Sequence, residues 1–213
     1  MDSPGGKLTH FKKLAQDGDL DAQLRLAGAY LFGSAGKVDA IESMKWCKPA
    51  LQKGSPLAKY FYGFYHFLGK GVPKDYAIAF RWWRESAEDG LAEGQAHTGW
   101  AYEQGIGVER NAELAAQWWL KAAEGGVVNA QLGIATYYEQ GIGIPKDMDS
   151  AVFWLMIASR NGSKDAEANM RRLYAEFSPA SQDSIVEKVE EYLENNPECL
   201  RKSRDTSGPA FLT

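Results

Sequence analysis

Three glycine-rich stretches, GKGVPKD at 69–75, GIGVERN at 105–111 and GIGIPKD at 141–147, are the first candidates for chemistry, because glycine loops can cradle phosphate. None carries the lysine followed by serine or threonine that completes such a cradle, and each follows a helical pattern rather than a strand. They read as structural turns. A serine nucleophile with a lysine three residues on is also absent from any plausible site, since SKDA at 163–166 and KSRD at 202–205 do not fit. His10, His66 and His97 are scattered and read as surface or filler positions. Cys47 and Cys199 make neither a disulfide framework nor a metal site. In an extended array the two thiols would sit far apart, so no bond between them is expected. No cofactor or metal is called for by any of these residues.

Tryptophan is the remaining candidate, as a stacking platform, and its spacing argues otherwise. Trp46, Trp82, Trp118 and Trp154 recur every 36 residues, and Gly18, Gly54, Gly90, Gly126 and Gly162 keep the same step. Two residue types locked to one period of that length indicate a repeat array. A large aromatic at helical spacing in every repeat is read as core packing, so the tryptophan column is expected to be buried.

Each row of 36 has two helical halves. The first carries small, apolar and aromatic residues at intervals of four: Ala22, Leu26 and Tyr30 in the first row, Ala130, Ile134 and Tyr138 in the fourth. Beside the central apolar position stand Ala27, Gly63, Gly99 and Ala135, small enough for a neighbouring helix to approach closely. A glycine turn follows, and Asp39, Asp75, Asn111 and Asp147 are placed to cap the next helix. The second helix carries the tryptophan, with Ser43, Ala79, Ala115 or Ala151 three residues before it. Pro49 falls inside the first row's second helix and predicts a kink or an early end there.

Composition fits this picture. The hydrophobic content of 45% is ordinary for a folded protein, and the net charge of −4 offers no general attraction to nucleic acid or anionic membrane. No run approaches the roughly 18 apolar residues of a membrane span. The first residues lack a secretory signal, so the expected location is the cytoplasm, or the periplasm if a leader has been removed.

The columns Ala–Leu/Ile–Gly/Ala–Tyr, then G-x-G-[VI]-x-x-[DN], then Ala-x-x-Trp and a closing Ala-Ala-x-x-Gly resemble the Sel-like repeats, relatives of the tetratricopeptide repeat. Rows three and four match best, and the first row departs in its turn, GSAGKVD, and in Pro49. The resemblance implies an all-α fold: an α/α solenoid, a right-handed superhelix of about four to five helix pairs. The expected division is an N-terminal segment and capping helix over 1–17, with a short helix at about 8–16. Repeats follow over 18–53, 54–89, 90–125 and 126–161, with a partial one over 162–175. A C-terminal capping helix over 176–195 opens at Ser178-Pro179, and 196–213 is a loose tail.

The resemblance also implies that the first helix of each pair lines a concave face. Carried over by column, that face holds Phe32, Tyr60, Phe64, Phe67 and Trp100, with Glu103, Leu132, Thr136 and Glu139 beyond them. Exposed aromatics in contiguous patches mark interaction sites and supply interface anchors. Glu103 and Glu139 add an acidic edge suited to a basic partner. The function expected is a monomeric, non-catalytic scaffold that binds a protein or peptide. A narrower alternative, known for some proteins with these repeats, is a periplasmic immunity protein that neutralises a type VI secretion phospholipase effector. A β-lactam-binding or hydrolysing enzyme, reported for some relatives, is disfavoured by the missing nucleophile pair.

Overall fold

The computed structural model describes residues 4–200, and every regular element among them is helical. The helices divide into two compact units, one ending at Gly90 and one beginning at Leu91. The first unit holds α1 (Pro4–Gln16), α2 (Leu20–Phe32), α3 (Ala40–Gln52), α4 (Pro56–Leu68) and α5 (Tyr76–Glu88). The second holds α6 (Ala92–Gln104), α7 (Ala112–Glu124), α8 (Val128–Gln140), α9 (Met148–Arg160), α10 (Lys164–Tyr174) and α11 (Pro179–Asn195), then a short 3-10 turn, Pro197–Cys199. Helices α2 to α9 are each 13 residues long, as a fixed repeat requires.

Local chemistry sets these lengths. The first helix of each pair ends at Gly33, Gly69, Gly105 or Gly141, with φ between 65° and 85°, a left-handed conformation that glycine adopts without a Cβ penalty. The second helix opens on a carboxylate or amide that accepts a backbone N–H three residues on: Asp39 from Glu42 at 3.1 Å, Asp75 from Ile78 at 2.9 Å and Asn111 from Leu114 at 2.9 Å. Asp147 accepts from both Asp149 and Ser150.

Pro49 does not shorten its helix: α3 runs its full 13 residues and closes like the others, with Gly54 N–H donating to the Leu51 carbonyl. A proline at this point removes one backbone donor. The burial of Cys47 and Ala50 on either side holds the turn in place. The N-terminal helix begins at Pro4, earlier than the pattern predicts.

The tail is a second departure. Residues 196–200 are packed, while 201–213 lie outside the described residues. Cys199 is fully buried, and its carbonyl accepts from Asn161 Nδ2 at 2.8 Å and Gln131 Nε2 at 3.3 Å. Its thiol donates to the Glu124 carbonyl at 2.7 Å. The Glu198 carbonyl lies where a side chain on Gly126 would stand, 2.8 Å from its Cβ. A polar sequence, NPECL, therefore behaves as a strap, because the side-chain amides of buried Gln131 and half-buried Asn161 donate to its backbone and Gly126 leaves room for it. Both cysteines are free and buried, and burial pushes the Cys47 thiol up to about 12.

Candidate binding surface

The tryptophan column is less buried than its spacing predicts. Trp154 is buried, under Tyr192 of α11 at 5.8 Å between ring centroids. Trp46, Trp82 and Trp118 are only half-buried. Trp46 donates to Glu42, Trp82 lies 5.5 Å from the Tyr62 ring, and Lys121 sits 4.4 Å over the ring of Trp118.

The tryptophans one residue on face the glycines of the first helices. Trp83 is fully buried, and a Cβ built on Gly63 would lie 2.3 Å from its Cδ1 and Nε1. In the second unit the Trp119 ring passes 3.3 Å from a Cβ on Gly99 of α6 and 3.7 Å from one on Gly133 of α8. Glycine on the first helix thus admits an indole from the second into the layer of first helices. Rows with alanine at the matching place, Ala27 and Ala135, carry the smaller Cys47 and Leu155 instead. The signal was present in the doublets Trp82-Trp83 and Trp118-Trp119, since only the rows with Gly63 and Gly99 have them.

In the first unit Trp83 is the floor of a connected set of rings on α2 and α4. Phe64 and Phe67 each stack on it at 5.4 Å. Phe64 meets Phe32 edge-on at 5.2 Å and Tyr60 at 5.0 Å, and Phe67 reaches Tyr76 at 5.4 Å. Offset and edge-on pairs at these distances hold rings more firmly than burial alone. Phe32 is 39% exposed, and Phe64 and Phe67 are half-buried. Tyr60 is buried, contrary to its expected exposure, because it packs between Phe61 and Phe64. Beneath this layer Ser43, Tyr65 and the Ala27 carbonyl form a buried polar link, with Ser43 Oγ 2.7 Å from Tyr65 Oη.

The second unit offers a more polar face. Trp100 and Leu132 are half-buried, with Trp100 edge-on to His97 at 6.3 Å. Burial pulls the His97 ring's pKa down, and its Nδ1 lies 3.0 Å from the Glu93 carbonyl, so this histidine is filler. The Thr136 hydroxyl donates to the Leu132 carbonyl in its own helix. The acidic edge is already engaged: Glu103 accepts from the Tyr137 hydroxyl at 2.8 Å, and Glu139 pairs with Arg172 at 2.8 Å. Burial, then the bond to Glu103, pushes the Tyr137 hydroxyl well above the usual tyrosine range. A basic partner would have to displace these contacts.

Among the described residues no set of three His, Cys, Asp or Glu could hold a metal ion, and no helix is long and apolar enough to cross a membrane. What the residues form is an α/α solenoid of capped, glycine-terminated helix pairs. The Sel1 repeat family model matches at 20–55, 56–91, 92–127 and 128–163, so the chain belongs to that family. Its frames begin two residues after those read from the glycine column.

Two solved structures are similar. One is c5321, a protective antigen present in uropathogenic Escherichia coli strains that displays an SLR fold; it is 26% identical, with a TM-score of 0.74 over 94% of this chain. The chain spans only 45% of that antigen's length. The other is a Sel1 repeat protein from Oxalobacter formigenes, 28% identical, with a TM-score of 0.70 over 89% of this chain and 80% of that one. No curated protein matches.

Proposed function

We propose that the chain is a non-catalytic scaffold whose first-helix faces bind a segment of a partner protein. The observation that carries this is the half-exposed ring set of Phe32, Phe64 and Phe67, held rigid by Trp83. Rigid aromatics lose little entropy on binding and are the favoured anchors of interfaces. In the family's architecture these helices line the concave side; within the second unit the first helices carry Trp100 and Leu132, with Thr136, Glu103 and Glu139 as their polar neighbours. Tyr60 then supports Phe64 from below rather than touching the partner. A protein target suits such a surface better than a small molecule, because the rings form an open row rather than an enclosed pocket.

The test is affinity purification from the native host with the wild type and with a Phe64→Ala, Trp100→Ala variant whose helicity is checked by circular dichroism. Loss of a specific co-purifying protein in the folded variant supports the proposal, and retention of that protein overturns it. The secreted-effector version requires further that the co-purifying protein be toxic and that the variant lose protection against it.

A further inference from the structure

The strap shows what the turn between two repeats can hold. The Glu198 carbonyl fills the space beside Gly126, and the Cys199 carbonyl takes two N–H donors, Gln131 Nε2 at 3.3 Å and Asn161 Nδ2 at 2.8 Å. Gln131 Nε2 also donates to the Ala123 carbonyl at 3.2 Å, and its Oε1 accepts from Asn161 Nδ2 at 2.9 Å. Both ends of that buried amide are thus satisfied.

Three rows earlier the same frame stands uncovered. The Asp17, Gly18 and Asp19 N–H groups donate to the Lys13, Ala15 and Leu14 carbonyls, as those of Gly125, Gly126 and Val127 donate to Lys121, Ala123 and Ala122. Both central glycines have positive φ, 94° at Gly18 and 80° at Gly126. Gln23 holds the place of Gln131 and makes the same bond, Nε2 to the Ala15 carbonyl at 3.0 Å. It is 7% exposed, and its Oε1 is buried with no hydrogen-bond partner. Gly126 is buried by the strap, whereas Gly18 is exposed, with open space where a Cβ would stand. The second row closes the frame differently: Lys59 replaces the glutamine and pairs with Asp89 at 2.7 Å.

Lys53 holds the place of Asn161, each at the C-terminal end of a second helix. Lys53 is exposed, and none of the ion pairs among the first unit's described residues includes it. Its ammonium has three N–H groups, enough for both bonds that the Asn161 amide makes: one to the glutamine oxygen and one to an incoming carbonyl. Alone, Lys53 would order a long side chain for one bond; over an occupant it gains two.

We infer that Gly18, Gln23 and Lys53 form a docking slot, separate from the ring set, for a strap-like segment of a partner protein. An extended backbone crosses Gly18 and presents one carbonyl to Gln23 Nε2 and Lys53 Nζ. The residue bearing that carbonyl has a small hydrogen-bonding side chain, cysteine or serine, because Gln16 ends α1 where Glu124, whose carbonyl receives the Cys199 thiol, ends α7. The slot reads backbone and needs no charge on its occupant.

The test titrates a synthetic peptide of the strap sequence, acetylated and amidated NPECL under reducing conditions, into the isotope-labelled full chain and follows it by NMR. The chain's own strap fills the Gly126 slot, so the peptide meets the first row. The expected result is saturable shifts of the Gly18 N–H and the Gln23 side-chain amide. Binding read at Gly18 should be about tenfold weaker in Gln23→Leu and in Lys53→Leu. It should be kept in Lys53→Asn, which rebuilds the Asn161 arrangement, and in Phe64→Ala. Lys53 is exposed, so its two variants keep the test sound even where Gln23→Leu perturbs the fold. Four results overturn the inference: no shift at millimolar peptide, shifts confined to Gly126 and Gln131, unchanged binding in both leucine variants, or binding that Lys53→Asn weakens as much as Lys53→Leu. The last would mean that the lysine reads the peptide's carboxylate and not its backbone.

Discussion

Gly63 and Trp83 occupy one another's space: the place where a Cβ on Gly63 would stand is 2.3 Å from the buried indole. Gly63 is therefore fixed by volume and not by backbone conformation, since its φ is not positive. Replacing it with alanine gains about 1 kcal/mol of helix propensity. The clash costs roughly 1–3 kcal/mol of overpacking, and more if the ring cannot turn. With Trp83 walled in by Phe64 and Phe67, the clash wins.

Gly63→Ala is thus expected to lower the melting temperature, by a few degrees per kcal/mol at about 2–4 °C each for a chain of this size. Gly99→Ala should be near neutral, because its Cβ would meet Trp119 and the Ala115 carbonyl only at 3.2–3.3 Å. Adding Trp83→Leu to Gly63→Ala recreates the combination of Ala135 with Leu155 and should recover part of the loss, as a double-mutant cycle reads. Equal effects of the two glycine substitutions would contradict the account.

Asp147→Ala should cost about 1 kcal/mol at neutral pH, since the carboxylate caps α9 by accepting from Asp149 and Ser150. The Ser150 hydroxyl first, then these backbone bonds, lowers the pKa of this carboxylate below the ordinary aspartate value. A group depressed in the folded state stabilises fully above its unfolded pKa and loses that contribution as pH falls through the folded one. The gap between wild type and variant, measured by urea unfolding, should be constant from pH 7 to about 5 and narrow below about 4. A gap that widens in acid would rule out the charged cap.

Much of this was legible in the sequence because it is periodic. The helix lengths, the glycine stops and the caps at Asp39, Asp75, Asn111 and Asp147 follow from local chemistry repeated at one interval. What periodicity could not show is which member of a doublet turns inward, a question of volume across helices: Trp83 is buried while Trp82 is not, because only Trp83 faces Gly63. It also gave no hint of the strap at 196–200, whose contacts are backbone carbonyls received by distant side chains. The engaged states of Glu103 and Glu139 depend on Tyr137 and Arg172, which lie 34 and 33 residues away in sequence.

Asn161→Ala should release the strap. The substitution removes the 2.8 Å bond to the Cys199 carbonyl and the 2.9 Å bond to Gln131 Oε1, leaving a fully buried amide oxygen without its donor. A loss of about 1–3 kcal/mol is expected. The distinguishing readout is thiol alkylation mapped by peptide mass: Cys199 should label faster in the variant, while Cys47, in the other unit, keeps its wild-type rate. Equal acceleration of both thiols would mean global destabilisation instead.

The central claim, that first-helix aromatics bind a partner protein, is tested most directly by titration calorimetry. The protein recovered by co-purification is titrated into wild type, Phe64→Ala and Trp100→Ala, each confirmed folded. The account predicts that each truncation weakens binding by about 2 kcal/mol or more, roughly thirtyfold, as expected of anchor residues. Affinities for both variants within a factor of two of wild type would contradict it.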